Sequence, residues 1–97
     1  MKVSEMNGHE KMAYRFICEA MSEIIGGYEN TMMDWEEGTE EYNYAYELLN
    51  SGHENLVDFI YCETMALADT GMAKHMRFAG KEWIRERISR RLTKWGY

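Results

Sequence analysis

Apolar residues recur at helical spacing along most of the chain. Ala13, Phe16, Ile17, Ala20, Met21 and Ile24 fall one, three or four positions apart, the repeat that lays a stripe along one side of an α-helix. Asn7, followed three residues later by Glu10, has the pattern of a capping box, in which each residue satisfies a free main-chain N–H of the other. With Gly26-Gly27 as a stop, this predicts a first helix over 7–25. The stretch 28–38 follows neither a helical nor an extended repeat and reads as a loop with one helical turn.

Thr39 is the expected N-cap of a second helix over 39–50, with Tyr42, Ala45, Tyr46 and Leu49 on one face and Tyr44 and Leu48 nearly opposite. A helix apolar on two sides is expected to have two neighbours. Ser51-Gly52 breaks the chain before a third helix over 53–69, whose wide apolar face is Leu56, Val57, Ile60, Tyr61, Thr64, Leu67 and Ala68. Phe59, Cys62 and Ala66 lie elsewhere on its circumference, which places it centrally. Residues 72–79, between Gly71 and Gly80, fit either a helical turn or a short strand. A last helix over 81–95 sets Ile84, Ile88, Leu92 and Trp95 along one stripe and stops at Gly96. With no proline and no internal repeat, the sum is an all-α fold: one domain over 1–97, a compact bundle of about four helices.

A hydrophobic fraction of 45%, with aromatics making up 13% of the chain, is too rich for a disordered segment. No apolar run approaches the roughly 18 residues a membrane span needs. Met1-Lys2-Val3-Ser4-Glu5 runs into acidic residues without the apolar body of a secretory signal, so the expected compartment is the cytoplasm. Cys18 and Cys62 lack the paired spacing of zinc or redox sites and read as core thiols. Nine methionines suit the filling of an irregular small core.

Charge divides the chain. Residues 1–71 hold fifteen Asp and Glu against Lys2, Lys11 and Arg15, a net of −12, whereas 72–97 hold eight Lys and Arg against Glu82 and Glu86, a net of +6. Asp34, Trp35, Glu36, Glu37, Glu40, Glu41 and Tyr42 form an acidic run interleaved with aromatics, with Tyr44 and Tyr46 close behind. Dense carboxylates steer a basic partner into contact, and desolvated aromatics hold it there. The competing reading makes the acids a solvated face and the tyrosines core. On the last helix Trp83, Arg87, Arg90 and Lys94 fall within about 60° of one another, with Arg91 beside them. That row could grip phosphates and stack on a base. It could equally lie over Trp83 and pair with the chain's own acids, and this internal counter-charge is the preferred expectation.

Chemistry is thinly represented. His9-Glu10 and His53-Glu54 do not continue to HExxH, and the residues three before His9, His53 and His75 are Met6, Asn50 and Met72, which excludes Glu-x-x-His. His9 and His53 are then expected to be solvated residues of first helical turns. There is no Gly-x-Ser-x-Gly, phosphate loop or dinucleotide fingerprint. Glu19/Glu23, Glu37/Glu41 and Glu54/Asp58 stand one helical turn apart, as carboxylates on solvated faces commonly do. No catalytic residue, metal or cofactor is expected.

In its small size, acidic balance, proline-free helices and the patch Asp34-Trp35-Glu36-Glu37 with Glu40-Glu41-Tyr42, the chain resembles small acidic proteins of phages and mobile elements, the anti-CRISPR inhibitors among them. The resemblance implies a non-catalytic inhibitor that occludes a basic nucleic-acid-binding surface of an effector nuclease, some members of the class imitating the charge of DNA. No residue role carries over from it, and the basic final helix departs from a uniformly acidic mimic. The expected partner is a protein with a basic surface, such as a CRISPR effector nuclease, met in the host cytoplasm if the chain is phage-encoded. The alternative is a small nucleic-acid-binding regulator, a homodimer through the second helix, presenting Trp83, Arg87, Arg90, Arg91 and Lys94.

Overall fold

Helices form where caps and apolar stripes coincide: α1 (Gly8–Asp34), α2 (Glu40–Leu49), α3 (His53–Leu67), α4 (Thr70–Ala79) and α5 (Lys81–Lys94). The computed structural model describes residues 5–97, among which there is no strand. The stretch Met1-Lys2-Val3-Ser4, on which the expectation of no secretory signal rests, lies outside the described residues. The all-α bundle is as expected, with five helices instead of four.

The α1 cap forms as its sequence specifies: the Glu10 N–H donates to Asn7 Oδ1 at 2.8 Å and the Asn7 N–H donates to Glu10 Oε1 at 3.0 Å. The expected stop at Gly26-Gly27 does not occur, and the helix continues to Asp34, so most of the loop expected over 28–38 is helical. Tertiary packing overrides the local signal. Met21, Ile25, Tyr28 and Met32 prolong the stripe across the glycines, with Tyr28 edge-on to Phe59 of α3 at 5.9 Å between ring centroids. Both glycines keep negative φ, and a Cβ at either would meet nothing within 4 Å. Gly26→Ala and Gly27→Ala should therefore each raise stability by about 0.5–1 kcal/mol, by removing backbone freedom from the unfolded chain. Gly80, at the joint of α4 and α5, has φ +93° and ψ 145°. Alanine there should cost about 1–3 kcal/mol. Urea unfolding of the three variants checks the contrast, and a loss of stability at Gly26 or Gly27 would contradict the through-running helix.

Residues 72–79, ambiguous in sequence, belong to α4. Asp69 caps it, accepting from the Met72 N–H at 2.8 Å, and Met76 is buried at its centre. Gly71 falls in the first turn, where it interrupts no pattern.

The core is Ile17, Met21 and Ile25 of α1, Leu49 of α2, Leu56, Val57 and Ile60 of α3, Met76 of α4, and Ile84, Ile88 and Leu92 of α5. The central helix is α1, which packs on the other four, and not α3, on which Cys62, Ala66 and Leu67 face solvent. Nor does α2 sit between two extensive neighbours. It packs along α1 through Ala45 and Leu49, and Tyr44 and Tyr46 stay exposed. Cys62 is exposed and Cys18 half-buried, so neither is a core thiol. Of the described methionines, only Met12 and Met33 are exposed. No helix among the described residues is long and apolar enough to cross a membrane.

At 1.5 Å per residue α1 spans roughly 40 Å, close to the 46 Å long dimension of the molecule. Its C-terminus, and the turn that follows, therefore stand at one end of the bundle.

Candidate functional site

That end carries the acidic run. The Trp35 N–H closes α1 by donating to the Thr31 carbonyl at 3.0 Å. Thr39 then turns the chain: its hydroxyl donates to the Glu36 carbonyl at 2.7 Å and accepts from the Tyr42 N–H at 3.3 Å, opening α2. Asp34, Glu36, Glu37, Glu40 and Glu41 are all exposed, and among the described residues none of them enters an ion pair. The backbone reinforces their field on one side. The C-terminus of α1 carries the negative end of a long helix dipole with no basic residue in its last turn. Glu40 and Glu41 sit instead in the first turn of α2, where the positive end of the α2 dipole stabilises them.

Aromatics surround the acids. Trp35 is 49% exposed in the turn, and Met33 close by in the chain is 81% exposed. Tyr42 is half-buried and stacks on Tyr46, with centroids 6.2 Å apart and planes at 12°. Tyr44 leans on Tyr28 at 5.9 Å. Burial, and then Tyr44, push the Tyr28 phenol above its ordinary pKa. The seven acidic-aromatic residues read from the sequence are thus brought to one end, and the tyrosines expected as core in the competing reading are in large part exposed. Sequence reasoning missed Met33, for which only its position one residue before Asp34 was a signal.

The basic helix is arranged differently. Arg87 is buried, its guanidinium 5.3 Å from the centroid of Trp83, and Arg91 lies 5.1 Å over Trp95. Arg90 meets Glu86 at 2.7 Å, and the same Glu86 oxygen stands 3.3 Å from Arg87. Trp83 and Arg91 are half-buried, and only Arg90 and Lys94 of the five face solvent freely. The expected continuous row is therefore broken by the packing of α5 against α1. Among the described residues internal counter-charge is realised in one place between helices, where Arg85 pairs with Asp58 of α3 at 2.6 Å. The hydrogen bond to Asp58 raises the Arg85 pKa further. Arg87 and Arg90 find their carboxylate within α5 itself, so the acidic end is not neutralised by the basic helix.

Both first-turn histidines depart from the solvated expectation. His9 Nδ1 lies 3.0 Å from His75 Nδ1 of α4, and its ring stacks on Phe78 at 4.6 Å. One ring of that pair donates and the other accepts. His53 Nε2 is 2.7 Å from the Ser89 hydroxyl and its Nδ1 3.3 Å from the Tyr97 main-chain oxygen. Because that oxygen only accepts, Nδ1 carries the proton that faces it, and the Ser89 hydroxyl pairs with Nε2. Tyr97 also closes the bundle from its phenol, whose pKa is raised by burial and then by Glu29, its hydrogen-bond partner. Among the described residues no group of three or more His, Cys, Asp or Glu is placed to hold a metal. Glu19/Glu23 and Glu54/Asp58 lie one helical turn apart on the surface, with Glu19 engaged by Arg15 at 3.3 Å, whereas Glu37 falls in the turn before α2 and forms no helical pair with Glu41. Comparison with protein-family models, with curated proteins and with solved structures finds no match to this chain.

Proposed function

We propose that the chain is a stoichiometric, non-catalytic binding protein, a phage-type inhibitor of the anti-CRISPR kind, that covers a basic nucleic-acid-binding surface of an effector nuclease. The observation that carries this reading is the end of the bundle where five exposed carboxylates, without ion-pair partners among the described residues, flank an exposed indole along the chain. Unpaired acids keep their field, which speeds encounter with a cationic groove, and they need break no internal pair to engage it. Trp35, Tyr44 and Tyr46 supply the apolar area that lengthens residence once the groove is reached. Such a mechanism needs no reaction, only occupancy of the groove in the host cytoplasm.

The test is a titration of the purified protein into a CRISPR effector ribonucleoprotein before target DNA is added, with DNA loading read by gel shift. Loading should fall to zero near one inhibitor per effector. If loading by a panel of such effectors is untouched at a large excess, the reading fails.

The nucleic-acid-binding alternative is weaker on geometry. With Arg87 buried, Arg90 and Lys94 offer two phosphate contacts, for which log K should fall with log salt at a slope of about −2. A low-salt gel shift of the protein with DNA or RNA separates the two readings.

A further inference from the structure

Between α1 and α5 lies a cavity of about 180 Å³ lined by Met6, Tyr14, Ile17, Cys18, Arg87, Arg90, Arg91 and Lys94. Among the described residues this lining holds four cations and no carboxylate. They occupy one face of α5 because positions 87, 90, 91 and 94 recur at helical spacing, and Tyr14, Ile17 and Cys18 do the same on α1. The Arg87 side chain is only 7% exposed, and the Nε atoms of Arg87 and Arg91 are buried with no hydrogen-bond partner among the described residues. A guanidinium out of water needs acceptors for its N–H groups, and leaving them unmet costs several kcal/mol. Glu86 answers part of this need, but its one oxygen is shared by Arg87 and Arg90, and Arg91 and Lys94 enter no ion pair among the described residues. The wall is thus positive in excess, and two of its buried donors, the Nε groups of Arg87 and Arg91, are unused among the described residues.

We infer that this cavity is an anion site for a phosphate monoester. A tetrahedral dianion matches both features: several acceptor oxygens for the inner guanidinium N–H groups, and two negative charges for the outer cations. Its volume, enough for several waters, admits a phosphate group. The rings of Trp83 and Trp95 beneath Arg87 and Arg91 hold the two guanidiniums in place before an anion arrives. The site stands apart from the acidic end and owes nothing to the inhibitor reading.

The experiment is calorimetry and ³¹P line broadening with inorganic phosphate near pH 7.5, at ionic strength matched with chloride. Wild type should bind one phosphate per chain with a Kd of about 1 mM or tighter. The Arg90→Gln/Lys94→Gln double variant, altered only at exposed positions and checked for fold by circular dichroism, should bind at least about tenfold more weakly. Arg91→Gln should lose as much from inside the cavity. Two further arms identify the source of the monoester. Displacement of phosphate by a nucleoside monophosphate marks a free small ligand, and tighter binding of a 5′-phosphorylated than of a 5′-hydroxyl oligonucleotide marks a strand end. Absence of phosphate binding up to about 50 mM, or binding unchanged in the folded variants, would overturn the assignment, whereas equal binding of the two oligonucleotides alongside displacement by the nucleoside monophosphate assigns the site to a free ligand.

Discussion

In the proposed inhibitor role, reversing Glu36, Glu37, Glu40 and Glu41 to lysine should abolish inhibition, with partner affinity falling by at least about a hundredfold. All four carboxylates are exposed and, among the described residues, free of ion pairs, so the substitutions remove a field and leave the core intact. Most of the loss should appear in the association rate, together with its dependence on salt, because fields act mainly on encounter. Lysine at 40 and 41 also meets the positive end of the α2 dipole, at about 0.3–1 kcal/mol each. The matching glutamine variant avoids that penalty and should show an intermediate loss. Trp35→Ala should act on the other half of the mechanism, accelerating dissociation by about tenfold or more with little change in association. Association and dissociation followed against the immobilised effector distinguish these outcomes. An unchanged association rate and salt dependence in the quadruple variant would remove the acidic end from the mechanism.

Ile88→Ala should give the largest loss of stability. Ile88 is fully buried on α5, in the layer shared with α1 and α3. Truncating it to the β-carbon leaves a cavity worth about 2–5 kcal/mol, set against a total stability of about 5–15 kcal/mol for a domain. For a chain of this size the midpoint of thermal unfolding should drop by on the order of 10–30 °C. Leu67, apolar and on the wide face expected for the third helix, is 52% exposed. Leu67→Ala should therefore stay within about 0.5 kcal/mol. Thermal melts of the two variants, followed by circular dichroism, check the pair, and equal losses would contradict the placement of the core.

The acidic end is legible in the amino-acid sequence because its residues are nearly consecutive. A run that is contiguous along the chain stays contiguous in space, and a turn between two capped helices had only to expose it. The basic row is not legible in the same way. Helical spacing puts Trp83, Arg87, Arg90 and Lys94 on one side of α5, but which part of that side meets α1 depends on how the helices pack. Packing buries Arg87 over Trp83 and makes the four cations of an expected surface line a cavity. The same limit applies to His9, whose partner His75 lies 66 positions away on α4.

What the amino-acid sequence determined alone was local. Asn7 and Thr39 cap helices because their side chains reach N–H groups within three residues, and Ile84, Ile88 and Leu92 form a core stripe because the helix repeat aligns them. Tertiary structure decided whatever depended on a neighbour. At Gly26-Gly27 the intrinsic preference, about 1 kcal/mol per glycine, opposed a helix that Tyr28 and Met32 could complete only by packing against the rest of the bundle. Burial of those two side chains outweighs the glycine penalty, so α1 runs on and carries the acidic turn to the end of the molecule. Short-range preferences are worth tenths of a kcal/mol to about one, burial of a large side chain about 1.5–3 kcal/mol, and where the two disagreed in this chain the larger prevailed.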